Sequence, residues 1–273
     1  MSKGYYQLDT GKVAAIEANC LFPPLNQALS EPNGLIAIGG DLSITRLINA
    51  YSHGIFPWFN AGEPVMWWSP NPRMALKPNQ LKISASLKKT LKKQPFEIRF
   101  NASFHKVITA CSQSIRTKLN ITSHESGSKE LINQELISQE LRSQESYNQD
   151  LFIQNEEITT NSNEQHTWIS ENMIKAYCEL HQKGYAICME TWLHNQLVGG
   201  CYGVKIGHMF YGESMFHTKT DASKVAFVHL VRYLQSQDVG LIDCQMKTPL
   251  LASFGANEIS REDFEQQMLK LIN

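Results

Sequence analysis

A short apolar segment, Leu241-Ile242-Asp243-Cys244-Gln245, sets a carboxylate and an amide two residues apart. Strand side chains alternate faces, so Asp243 and Gln245 point one way while Ile242 and Cys244 point the other. A carboxylate in that setting can accept a proton or orient the amide, and the amide carbonyl can hold an N–H donor. Upstream, Tyr211-Gly212-Glu213-Ser214-Met215-Phe216 embeds a second carboxylate among aromatic and thioether residues. Two such strands side by side would floor a greasy cleft with a few polar groups, the usual make-up of a substrate site. The plain structural alternative has Asp243 capping the loop after its strand and Glu213 in a salt bridge. On spacing alone the two readings stand level.

The elements that must position these residues follow from periodicity and punctuation. Asp41 or Ser43 can cap a helix through Leu47, Ile48 and Tyr51 that stops at Gly54. Residues 55–68 read as irregular and aromatic, 96–100 as a strand and 102–112 as a helix. A helix over 170–183 ends at Gly184, and strands over 185–193, 196–204 and 209–216 follow in meander order. Next come a helix over 221–237 with Asp221 as N-cap, the strand over 241–245 and a closing helix from Ser260. Antiparallel strands, a crossover helix and another strand make an α/β (α+β) mixed sheet with flanking helices, compatible with the acetyltransferase (GNAT) superfold.

At 273 residues with 42% hydrophobic content, the chain can bury one large domain or two unequal ones. Residues 1–10 lack a basic-then-apolar signal pattern, and no apolar run approaches the roughly 18 residues a membrane span needs. The expectation is a cytoplasmic protein off the membrane. Its six cysteines never form a C-x-x-C pair, so neither a disulfide framework nor a zinc site is signalled. Reduced, mostly buried thiols and no metal are expected.

Net charge of −1 hides an asymmetry. Over residues 117–166, three basic residues face nine acidic ones, giving −6 and leaving +5 on the remainder. Part of that excess is Lys77, Lys82, Lys88, Lys89, Lys92, Lys93 and Arg99, a cluster able to meet a polyanion. With Leu87 and Leu91 opposite, Lys88, Lys89, Lys92 and Lys93 more simply describe the solvated face of an amphipathic helix. The acidic stretch contains a pentapeptide repeat, ELINQ, ELISQ, ELRSQ, ESYNQ and DLFIQ, over residues 130–154. A period of five fits no helical stripe, and five copies are too few for a stacked solenoid core. Residues 116–166 are therefore read as a mobile, low-complexity insertion that carries no catalytic residue.

Nine ordered runs carry a resemblance. They are EPNGL at 31–35, GGDL at 39–42, GIFPWF at 54–59, WWSPNPR at 67–73, TWI at 167–169, GG at 199–200, GESMF at 212–216, ASK at 222–224 and IDCQ at 242–245. Together they resemble the leucyl/phenylalanyl-tRNA protein transferases, in the family's order and over nearly the whole chain outside the insertion. The resemblance implies a small N-terminal domain at 1–75 and a GNAT-like aminoacyltransferase domain at 76–273. It implies transfer of leucine or phenylalanine, with methionine a further candidate, from aminoacyl-tRNA to the N-terminal arginine or lysine of a protein. That marks the protein for degradation by the N-end rule. No cofactor is implied, and a monomer is expected.

By the same resemblance Asp243 and Gln245 are catalytic and Glu213 binds the acceptor. Trp58, Trp168, Tyr51 and Tyr177 surround the terminal adenosine of the tRNA, where aromatic faces suit an unpaired base. Cys201, Phe210, Met215, Leu230 and Ile242 line the amino-acid pocket. Any of these aromatic or aliphatic residues taken alone reads as core. The chain departs from the family pattern at Ile187-Cys188, where His-Ser is common, at His217-Thr218, where Ser-Arg is common, and at Leu250, where a histidine often lies. Lys219 is a substitute for the missing arginine in a phosphate contact. Two other classes compete. A coenzyme-A-dependent N-acyltransferase would share the sheet, but no Q/R-x-x-G-x-G/A phosphate turn occurs. A non-catalytic RNA-binding module would explain the basic excess and the tryptophans but not the grouping of Asp243, Gln245 and Glu213.

Overall fold

Two sheets share the chain in the computed structural model, which describes residues 4–17, 21–122 and 168–272. The first sheet is built from β1 (Gly4–Leu8), β2 (Gly11–Ile16), β3 (Leu35–Gly39), β4 (Phe56–Pro57) and β5 (Met66–Trp68), in the order β1-β2-β3-β5-β4. The second contains β6 (Arg73–Leu76), β7 (Glu97–Phe100), β8 (Ala186–Leu193), β9 (Gln196–Ile206), β10 (Met209–His217), β11 (Leu241–Gln245) and β12 (Asn257–Ile259). Its order is β12-β6-β11-β10-β9-β8-β7, with β10 and β11 parallel and every other pair antiparallel.

Among the described residues seven α-helices pack on these sheets: α1 (Ile44–Ser52), α2 (Ala85–Lys93), α3 (Phe104–Thr122), α4 (Glu171–Gln182), α5 (Ala222–Ser236), α6 (Pro249–Ser253) and α7 (Arg261–Leu271). The crossover from β10 to parallel β11 runs through α5, the connection a parallel pair requires. Ser43, Ser84, Ser170 and Ser260 cap α1, α2, α4 and α7 by accepting from the amide three residues on. One apolar core contains Tyr51, Trp67, Tyr177, Tyr202 and Tyr211, and joins the first sheet to one face of the second. The other contains Leu87, Phe210, Leu230 and Ile242 under α5 and α2. In α2 only Leu87 is fully buried, and the four lysines are exposed.

The mixed sheet with flanking helices is as expected, and several local readings change. Residues 55–68 are not wholly irregular: Phe56 and Pro57 pair with Trp68 and Trp67 to make β4 and β5. The helix read as ending at residue 112 continues as α3 to Thr122, into the start of the expected insertion. Ser112, read as the last residue of that helix, is buried within it, and its hydroxyl donates to the Ile169 carbonyl at 3.0 Å. Asp221 occupies the N-cap position of α5 in a left-handed conformation with no side-chain cap bond. Its carboxylate instead accepts from Lys224 and Thr90. The pentapeptide repeat and the remainder of the 116–166 insertion lie outside the described residues.

Candidate active site

The site forms where β10 and β11 part. They pair through Met209, Phe210 and Tyr211 against Leu241, Ile242 and Asp243, and the ladder stops there. Each strand then bulges, β10 between Gly212 and Ser214 against β9, and β11 between Asp243 and Gln245 against β6. Gly212 faces Gly203, and a Cβ on Gly203 would lie 2.1 Å from the Tyr211 carbonyl oxygen. Two glycines thus let the backbones close just before the extra residue, Glu213, is turned out of the ladder. On β11, Gln245 adopts a left-handed conformation at φ 60°, which carries its side chain to Glu213. The Gln245 amide donates to Glu213 Oε1 at 3.3 Å across the gap. The alternation read from the sequence holds through Cys244, and the bulge redirects Gln245.

Asp243 is fully buried and locked. Arg73, from the start of β6 and equally buried, donates from Nε to Oδ1 at 2.8 Å and from Nη2 to Oδ2 at 2.6 Å. The guanidinium lies over the rings of Phe56 and Phe264, with Cζ 4.8 and 4.6 Å from their centroids. Such a planar fork is the donor set a buried carboxylate needs. Asp243 Oδ1 also accepts from the Gln245 backbone amide at 2.8 Å, so the carboxylate fixes the bulge that aims Gln245. Sequence reasoning assigned Arg73 no role, although it ends one of the quoted runs. Its signal was an arginine opening an otherwise apolar strand, Arg73-Met-Ala-Leu76.

Glu213 sits differently. It is partly buried, and Tyr51 donates to Oε1 at 2.7 Å while Tyr177 contacts Oε2 at 3.1 Å. The two phenols also contact each other. Tyr51 comes from the buried face of α1 and Tyr177 from that of α4, where Met173, Ala176, Tyr177 and Leu180 recur at helical spacing. Burial pushes the Glu213 carboxyl up to about 7, while the hydrogen bonds from Tyr51 and Tyr177 pull it back. Burial, with the Glu213 charge second, holds both phenols well above their ordinary range.

The remaining expected residues fall into two groups. Trp58 and Trp168 are both partly buried against the first core, Trp58 edge-to-face with Trp68 at 5.7 Å. Tyr51 and Tyr177 are fully buried, with their hydroxyls on Glu213. Cys201, Phe210, Leu230 and Ile242 lie together in the second core with Met215 partly buried against it, on the sheet face opposite Asp243. Among the described residues no group of three or more His, Cys, Asp or Glu has the geometry to hold a metal ion. No described helix is long and apolar enough to cross a membrane.

A mixed sheet whose central parallel strands separate over two carboxylates and an amide defines an α/β protein with a polar site in an apolar setting. The profile of the leucyl/phenylalanyl-tRNA protein transferase family matches residues 75–125 and 138–269, and that of the family's N-terminal domain matches 40–71. Proteins named leucyl/phenylalanyl-tRNA–protein transferase from Chromobacterium violaceum and Nitrosospira multiformis are 47% and 45% identical to this chain. They cover 89% and 94% of it, and 85% and 91% of their own lengths are covered in return. Another of that name from Idiomarina loihiensis is 41% identical over 90% of this chain and 85% of its own. The chain belongs to the leucyl/phenylalanyl-tRNA protein transferase family. Among solved structures, an N-acetyltransferase of Thermoplasma acidophilum in complex with coenzyme A is similar over 53% of this chain and 74% of its own, at 12% identity and a TM-score of 0.32.

Proposed function

We propose that the chain moves leucine or phenylalanine from aminoacyl-tRNA to the N-terminal arginine or lysine of an acceptor protein, in the cytoplasm and as a monomer. The single observation that carries the reading is the bridge from Gln245 to Glu213 across the parted strands, beside a buried Asp243. Making a peptide bond from an aminoacyl ester needs an uncharged amine, a positioned carbonyl and a route for protons. Gln245 spends its amide N–H on Glu213, and its carbonyl has no partner among the described residues, so it is free to hold the attacking amine. Asp243 acts through Gln245: its carboxylate is occupied by Arg73 and by the Gln245 amide. Glu213 supplies negative charge to the cationic N-terminus of the acceptor.

Trp58 and Trp168 stack the terminal adenosine, with Tyr51 and Tyr177 shaping the wall behind Glu213. Cys201, Phe210, Met215, Leu230 and Ile242 take the transferred side chain, and the small Cys201 and Leu230 bear on the choice among leucine, phenylalanine and methionine. Residues 1–75 act as a small N-terminal domain on an aminoacyltransferase domain at 76–273. Incubating the protein with labelled Leu-tRNA and an Arg-initiated peptide, in chelator and without coenzyme A, tests the reading. Label should appear on the peptide N-terminus. Transfer that requires acetyl-coenzyme A, or no transfer, would overturn it.

A further inference from the structure

Tyr51, Tyr177 and Glu213 form a ring of three oxygen contacts: Tyr51 to Oε1, Tyr177 to Oε2, and phenol to phenol. Each hydrogen bond needs one proton. With Glu213 ionised, the two phenols supply two protons for three contacts. With Glu213 protonated there are three, and the circuit closes in either of two senses: Oε2 to Tyr177 to Tyr51 to Oε1, or Oε1 to Tyr51 to Tyr177 to Oε2. The ring therefore has a slot for one proton. Asp243 has no such slot, because fixed N–H donors occupy both its oxygens.

We propose that the Glu213 ring takes the proton from the acceptor amine, and that Asp243 is a positioning residue that never does. This rests on the aminoacyl-transfer reading above. The acceptor enters as an ammonium held at the Gln245 carbonyl and gives one proton to Glu213. The freed lone pair attacks the ester carbonyl carbon and the C–N bond forms. A second proton leaves the nitrogen for the ribose oxygen as the C–O bond breaks. The products are an amide, a ribose hydroxyl and one proton parked on the ring, which returns to solvent through the open side of Glu213.

The groups facing Glu213 are consistent with this role. Tyr51 comes from α1, Tyr177 from α4, Gln245 and Asp243 from β11, Arg73 from β6 and Tyr202 from β9. The positive charge of Arg73 is already matched by Asp243, so no unpaired cation in this set pins Glu213 in its ionised form.

Single-turnover transfer from Leu-tRNA to an Arg-initiated peptide, followed from about pH 5 to pH 9, tests the assignment. The wild-type rate should fall as pH drops through about 7, where Glu213 gains its proton. Glu213→Gln should lose at least about 100-fold at neutral pH, with Leu-tRNA affinity retained. Tyr51→Phe removes a donor that favours the ionised form, so its acid limb should move to higher pH. This variant keeps the test open should Glu213→Gln fail to fold. Asp243→Asn should lower the rate and, by leaving the Arg73 charge unmatched beside Glu213, move the limb to lower pH without abolishing it. Glu213→Gln with the wild-type rate and profile, a limb unmoved in Tyr51→Phe, or a limb lost in Asp243→Asn would each overturn the assignment while the transfer reading stands. A wild-type protein that moves no leucine sinks both.

Discussion

Asp243 and Glu213 stand on neighbouring strands where β10 and β11 separate, Asp243 at the last paired position and Glu213 two residues beyond its partner Tyr211, yet they are partnered in opposite ways. Asp243 meets a buried guanidinium and a backbone amide, donors that carry no exchangeable role near neutral pH. Glu213 meets two phenols and a side-chain amide, all neutral, and keeps some exposure. A cationic partner makes a carboxylate a strut. Neutral donors in a desolvated setting leave it poised to gain and lose a proton. The contrast separates the group that shapes the site from the group that exchanges with the substrate, although both are acids of similar intrinsic strength.

Breaking the strut should have the largest effect. Arg73→Met leaves Asp243 buried without its partner and should lower stability by about 3–5 kcal/mol, read from urea unfolding. Adding Asp243→Leu should return much of that loss, since an apolar pair of similar volume is tolerated where a lone charge is not. A single variant as stable as wild type would remove the strut from the account. Gln245→Ala tests the link between the two carboxylates: single-turnover transfer should drop by about 100-fold through lost orientation of the amine, with tRNA affinity kept. A parallel loss of tRNA binding would instead place Gln245 in donor recognition.

The aromatic side of the site should respond in binding. Trp58→Ala and Trp168→Ala should each weaken binding of an aminoacyl-adenosine analogue by about 1–3 kcal/mol, measured by calorimetry. If affinity holds while the melting temperature falls, the tryptophans are core. The smallest effect concerns stability and pH. The Glu213 carboxyl lies near 7 in the folded protein against 4.5 unfolded, so the folded state binds the extra proton between those values. Stability contributed by this group is present at low pH and lost as pH rises through about 7. Glu213→Gln should therefore melt higher than wild type at pH 8 by more than it does near pH 4. An equal difference at both would show that the carboxyl is not held up by its surroundings.

Much of the frame was legible in the sequence where signals are local. Ser43 and Ser170 announced α1 and α4, His194-Asn195 and Gly207 marked the turns of the meander, and Leu241 to Gln245 read as one strand. Elements whose partners lie far along the chain were missed. The strand β6 is four residues long and pairs with β11 and β12 some 170 residues later, so nothing nearby advertises it. β1 and β2 escaped because their exposed faces blur the alternation. Within the site, the residue types at Asp243, Gln245 and Glu213 drew attention because a carboxylate among apolar neighbours needs a reason. Their partners did not, since the Arg73–Asp243 and Tyr51–Glu213 contacts span 170 and 162 residues. Tyr51 and Tyr177 were assigned to the adenosine, and the fold delivers their hydroxyls to Glu213, a placement decided by how α1 and α4 pack. The two bulges that aim Glu213 and Gln245 depend on glycine pairing and on a carboxylate holding a backbone amide, neither of which a period-two pattern encodes.

The division of labour between the carboxylates is most directly tested by watching Glu213 titrate. Protein labelled with carbon-13 at the glutamate side-chain carboxyls, with Glu213→Gln used to assign the resonance, should show a midpoint of about 7 for Glu213. A midpoint near the unperturbed 4.5 would contradict the account, because Glu213 would then be an ordinary carboxylate and the proton slot would stand empty at every working pH.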